Sequence, residues 1–138
     1  MSQIFHARAG MGRKLQGRAL VAKDGFSARY DLNRIKGVFS RPSHALHGQS
    51  YVAKILVLNT AKGGVATAWM LREMAARGMA PAALLFNSVN PILAQGAAFA
   101  PMALIDRFAA GCPTTLIRTG DELSIDPAKG LVTILNRD

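Results

Sequence analysis

The stretch VAKILVLNTAKGGVATAWMLREMAARGMAPAALLF (52–86) constrains this chain more than any other. It opens with a nearly continuous apolar run, 52–58, whose β-branched members suit a strand buried on both faces. A knot of small and polar residues, Asn59 to Gly64, follows. VATAWMLREMAARG (65–78) then reads as a helix. Gly78 suits the left-handed position past its end, Pro81 stands shortly beyond, and Glu73 and Arg77 sit four apart. AALLF (82–86) is a second buried strand. Strand, helix and strand in this order predict a right-handed crossover with parallel strands. Val65, Ala66, Trp69, Met70 and Met74 leave little polar face. The helix is therefore expected to be buried on most sides or docked on a partner, with Trp69 and the methionines in the core.

The flanks add β structure. Residues 1–14 read as a flexible basic arm, and 15–138 as one domain. GRALV (17–21) alternates into a short strand, and 26–50 reads mostly as loops with one short strand at most. After AALLF, Asn90 is placed to cap a helix that has Pro91 at its first position and ends before Pro101. TTLI (114–117), ELSID (122–126) and LVTIL (131–135) read as short strands separated by turn signals at 119–121 and 126–130. The fold class expected is α/β, a parallel βαβ core carrying additional β-strands from both chain ends.

Composition narrows the setting. Half of the 138 residues are hydrophobic and the mean hydropathy is +0.18, as in a folded globular chain. No apolar run approaches the roughly 20 residues of a membrane span, since Pro101, Asp106 and Arg107 break the best candidate. The first thirty residues lack the apolar core of a secretory signal. The single cysteine, Cys112, excludes an internal disulfide framework and fits the cytoplasm. The net charge of +9 is uneven: residues 1–41 hold nine Lys/Arg against two Asp, and the remainder eight against six acidic residues. These basic residues are scattered and not interleaved with aromatics, which argues against a nucleic-acid platform. An anionic substrate or an acidic partner surface suits the field better.

Two loops should stand side by side at the carboxyl ends of the two parallel strands, the usual position for ligands in such sheets. One is 59–64 and the other 87–90. Each leads into a helix N-terminus, whose unpaired N–H groups attract anions. Gly63 and Gly64 let the backbone approach a ligand, Lys62 adds a full charge, and Asn59, Thr60 and Asn90 add polar groups. A carboxylate- or phosphate-binding corner results, although a plain turn is the competing reading and the Walker pattern is absent. In FSRPSHALHGQS (39–50), Arg41 has the planar fork suited to a carboxylate. His44 and His47 are three apart, but no third ligand joins them, so no metal site is expected. There is no G-x-S-x-G motif, and Cys112 precedes Pro113 without an evident base. These residues make half of an active site.

The stretch HALHGQSYVAKILVLNTAKGGVATAWMLREMAARGMAPAALLFNSVNPILAQGA (44–97) resembles the swivel domain, or small subunit, of the aconitase X dehydratases. That family shows a His before Gly-x-Ser, an apolar strand, a knot of the type Pro-Ser-Gly-Arg-Gly-Ser-Ser, a helix, then APAA with an apolar strand and a (D/N)PI(L/I)A.GA segment. The counterparts here are His44, Gly48 and Ser50, the strand 53–58, the knot 59–64, GMAPAALLF and NPILAQGA. The resemblance spans about residues 15–135 and implies a swivelling β/β/α domain.

It also implies a hydro-lyase subunit that completes its active site with a cysteine-rich large subunit carrying an iron–sulfur cluster. Known family substrates include cis-3-hydroxy-L-proline and phosphomevalonate, both carboxylates. By the same resemblance Thr60 is the candidate catalytic hydroxyl. Asn59, Lys62, Gly63, Gly64 and Asn90 would hold the substrate, with Arg41 and His44 on the facing wall. No cofactor or metal is expected on this chain itself. The knot departs from the family pattern: Thr60 and Lys62 keep a hydroxyl and a charge, but the later serines are Gly64, Val65 and Ala66. The alternative is a non-catalytic anion-binding or regulatory module of the same fold.

Overall fold

The computed structural model describes residues 3–23, 32–33, 35–60, 65–89 and 102–137. Strands β1 (Gln3–Met11) and β2 (Leu15–Val21) come first, followed by the two-residue β3 (Leu32–Asn33) and β4 (Val38–Phe39). Next are β5 (Ile55–Thr60), α1 (Val65–Ala76) and β6 (Ala83–Ser88). The chain continues through β7 (Ala103–Phe108), α2 (Pro113–Leu116), β8 (Glu122–Asp126), a 3-10 turn at Pro127–Lys129, and β9 (Leu131–Asn136).

Seven of these strands close a barrel in the order β1-β7-β6-β5-β2-β8-β9. The segment β2-β5-β6-β7 is parallel, and the remaining neighbours are antiparallel. The crossover between β5 and β6 is the one expected from 52–86. Their register, Ile55 opposite Ala83 through Thr60 opposite Ser88, brings the two carboxyl ends to one edge.

Strand alternation sorts the core into two layers. Phe5, Ala19, Val57, Leu85, Ile105, Leu123 and Val132 point inward, one from each barrel strand, into a single apolar filling. Leu56, Leu58, Leu84, Phe86 and Leu104 point outward from the parallel strands. Leu71 and Met74 of α1 cover that outer face, together with Phe39, Leu46 and Tyr51 of the preceding loop. Leu71 and Met74 are essentially inaccessible to water, each worth about 1.5–3 kcal/mol of burial.

Several expectations are corrected. Residues 3–11 form β1, not a flexible arm: the strand pairs with β9 through its first half and with β7 through its second, and so closes the barrel. Its basic groups face outward, which hides its strand character in the sequence. Arg8 forms a two-pronged contact with the buried Asp106 of β7, Nε to Oδ1 at 3.0 Å and Nη2 to Oδ2 at 2.9 Å. TTLI is not a strand. Pro113 starts the short helix α2, and the Thr115 hydroxyl donates to the Cys112 carbonyl at 2.8 Å. Trp69 is not in the core: it is 61% exposed, with the Arg72 guanidinium 5.5 Å from its ring centre. The helix expected from Asn90 lies outside the described residues.

Two fastenings hold the antiparallel side. Gly130, at φ 66°, accepts from the Ala7 N–H at 2.7 Å, and a Cβ there would collide with the Ala7 carbonyl. Arg137 reaches back to the buried Asp121 with Nη2 to Oδ2 at 2.7 Å and Nε to Oδ1 at 3.0 Å, while Nη2 also donates to the Leu116 carbonyl at 2.9 Å. The Arg118 N–H donates to the same carboxylate at 2.8 Å. Burial pushes the Asp121 carboxyl up. The Arg137 hydrogen bonds, the Arg118 N–H and the two guanidinium charges outweigh it and hold the group below its ordinary value of 3.8.

Candidate functional site

The carboxyl edge of β5 and β6 carries four polar side chains in register: Asn59 and Thr60 on one strand, Asn87 and Ser88 on the next. The continuous apolar run of each strand ends four residues in, and the last two positions of each are polar. Because alternation persists, the four fall on two faces. Thr60 and Ser88 share the outer face with Leu58 and Phe86. Asn59 and Asn87 share the inner face with Val57 and Leu85, at the mouth of the barrel.

The inner pair is tied together. The Asn87 amide donates to Asn59 Oδ1 at 3.3 Å. Helix α2 packs over the same mouth against β5 and β6. It brings Cys112 Sγ to 3.9 Å from Asn59 Oδ1 and 3.2 Å from Thr114 Oγ1. Sequence reasoning missed this neighbourhood, because Cys112 is 53 residues from Asn59. The one local signal was Cys-Pro-Thr-Thr, a plausible short-helix start.

The outer face receives the 39–51 loop, whose Phe39, Leu46 and Tyr51 pack in one cluster with Leu56 and Leu58. His44 is buried at 6% exposure and stacks on Phe39 with ring centres 4.7 Å apart. The His44 Nδ1 accepts from the Leu46 N–H at 3.1 Å, and the His44 backbone N–H donates to the Arg41 carbonyl at 3.0 Å. His44 thus holds the turn that presents Arg41. Arg41 is exposed, with Nε donating to Ser43 Oγ at 3.0 Å.

The sequence candidates are therefore brought together in part. Thr60 and the loop bearing Arg41 and His44 share a face, and Asn59 is turned from it. Lys62, Gly63, Gly64 and Asn90 lie outside the described residues. Among the described residues no three His, Cys, Asp or Glu side chains stand together as metal ligands. With one cysteine in the sequence, this donor set does not fit a cysteine-held cluster. No helix among the described residues is long and apolar enough to cross a membrane.

A barrel of mixed strands with a parallel crossover, covered on one side by a helix and a loop, defines the swivelling β/β/α class. A family model described as the aconitase X swivel domain matches residues 4–134, and the chain belongs to that family. The phosphomevalonate dehydratase small subunit of Methanococcoides burtonii is 29% identical over 88% of this chain and 88% of its own length. That of Methanocella arvoryzae is 28% identical over 89% and 92%. The crystal structure of Thermococcus kodakaraensis aconitase X in its holo-form superposes with a TM-score of 0.89. It covers 97% of this chain and 99% of that one at 23% identity, a likeness of fold.

Proposed function

We propose that this chain is the small subunit of an aconitase X-type hydro-lyase that dehydrates a carboxylate-bearing hydroxy acid. A cysteine-rich large subunit would supply the iron–sulfur cluster. The observation that carries the reading is the meeting of the polar carboxyl ends of β5 and β6, Thr60 opposite Ser88, in a chain of this family. Small subunits of phosphomevalonate dehydratases among its relatives support a two-chain enzyme.

In this reading the chain supplies proton transfer and substrate grip. The Thr60 hydroxyl moves the proton, with nearby positive charge favouring its deprotonated form. The Lys62 ammonium and the amides of Gly63 and Gly64 hold the carboxylate, flanked by Asn59 and Asn90. Arg41 closes from the facing loop, on the turn that His44 maintains. The outer face of α1, with exposed Trp69, is offered to the large subunit. A cis-3-hydroxy-L-proline-like substrate and phosphomevalonate both present the carboxylate this corner requires. The place of work is the cytoplasm, in keeping with one free cysteine.

A second reading, an anion-binding or regulatory module, is favoured by one observation: Gly64, Val65 and Ala66 stand where the family pattern has serines. Anaerobic pull-down of the tagged chain from its source cells separates the two. We expect a brown, cysteine-rich partner, and turnover of one of the two hydroxy acids by the pair but by neither chain alone. A colourless chain without partner or turnover overturns the enzyme reading.

A further inference from the structure

At the opposite end of the parallel strands, Arg18 and Lys54 line a cleft of about 260 Å³ with Gln49, Ser50 and Thr119 around the rim and Leu20 in the floor. The register explains why the two cations meet. Ala19 of β2 lies opposite Ile55 of β5, so Arg18 and Lys54, each one residue earlier, stand side by side. Both fall on the outward face with Leu20 and Leu56. Like charges on neighbouring strands of one face destabilise a sheet unless an anion lies between them.

Among the described residues no carboxylate neutralises this pair. Glu122 is the cross-strand partner of Arg18 in β8, yet no ion pair joins them within 4 Å. Arg18 Nη1 donates instead to the Gly120 carbonyl at 3.2 Å, which aims the guanidinium along the rim. Ser50 Oγ accepts from the Val52 N–H at 3.3 Å and keeps its own proton to donate. Thr119 Oγ1 is engaged with the Val21 backbone and stiffens the wall. The rim thus carries two cations and a hydroxyl proton, over a lining that is mainly apolar.

We infer that this cleft is a second binding site, for inorganic phosphate or the phosphate of a small monoester whose short stem would rest on Leu20. Its donors and paired charges match a tetrahedral dianion better than a lone carboxylate. Thr60 lies six positions beyond Lys54, about 20 Å along the strand, so one small molecule does not span both sites. The inference is independent of the proposed function and needs no large subunit.

The test is a titration of the full-length chain with inorganic phosphate at constant ionic strength, read by backbone amide shifts. Saturable shifts at Gln49, Ser50, Thr119 and Gly120 are expected, with affinity falling at least about tenfold in Lys54→Gln and in Arg18→Gln. The conservative Arg18→Lys variant, which keeps the charge, should retain part of the affinity. Shifts that never saturate, or that survive both Gln variants, overturn the site. Equal saturation by acetate overturns the phosphate assignment.

Discussion

Thr60 and Ser88 are register partners at the carboxyl edge of β5 and β6, and strand alternation turns both hydroxyls toward the face that also carries the 39–51 loop. Asn59 and Asn87, one residue earlier, are hydrogen-bonded to each other on the opposite face. A group acting on substrate from the outer face should therefore be separable from one acting at the barrel mouth. In the chain assembled with its large subunit, Thr60→Ala is expected to lower kcat at least about tenfold, while Thr60→Ser keeps most of it. Asn59→Ala should act on KM and leave kcat within about threefold. Steady-state kinetics of the three assembled variants check the distinction.

The two ends of the exposure scale on α1 predict opposite behaviour. Met74→Ala removes a buried side chain and should cost about 2–5 kcal/mol in urea unfolding. Trp69→Ala, at an exposed position, should change stability by less than about 1 kcal/mol. It should weaken binding of the large subunit at least about tenfold, as loss of an aromatic anchor does, in a direct binding assay.

Closure of the barrel rests on a contact that admits no side chain. Gly130→Ala would set a methyl group against the Ala7 carbonyl and force a left-handed backbone on alanine. We expect a loss of about 2–4 kcal/mol, from strain and the clash together. Urea denaturation measures it, and hydrogen exchange should show early opening of β1.

Asp121 makes stability depend on acid. Its carboxyl is held below 3.8 in the folded chain, chiefly by Arg137 against the opposing effect of burial. The folded chain thus binds its proton less readily than the unfolded chain. The stabilisation is full above the unfolded value, near pH 4, and disappears as pH falls through the folded one. Wild type should exceed Asp121→Asn at neutral pH by about 3 kcal/mol, a gap that narrows as pH falls below about 4. Chemical denaturation across that range gives the answer.

How much of this was readable in the chain follows from how local each signal is. The β5–α1–β6 unit announces itself because its apolar runs are contiguous and Gly78 and Pro81 punctuate the helix. β1 was obscured because only Phe5 and its neighbours in register face inward, while His6 and Arg8 face solvent. β7 was obscured by Asp106 and Arg107, which interrupt an otherwise apolar strand. The partner that makes Asp106 tolerable, Arg8, is 98 residues away. The carboxyl ends of β5 and β6 meet at one edge, as parallel register alone requires, while most of the first loop expected there lies outside the described residues. The division of Asn59 from Thr60 was equally available from alternation, but only once the strand was known to extend through residue 60. The approach of Cys112 to Asn59 depends on the path of the chain between β7 and β8, which no local pattern encodes.

The ring of seven strands has a consequence for assembly. Every barrel strand has a hydrogen-bonded neighbour on each flank, so the ring offers no open ladder to which a foreign chain can add a strand. Recognition at the barrel must come from side chains and loop ends. Such a contact can form and release as a rigid unit, without any backbone pairing being broken inside the swivelling body.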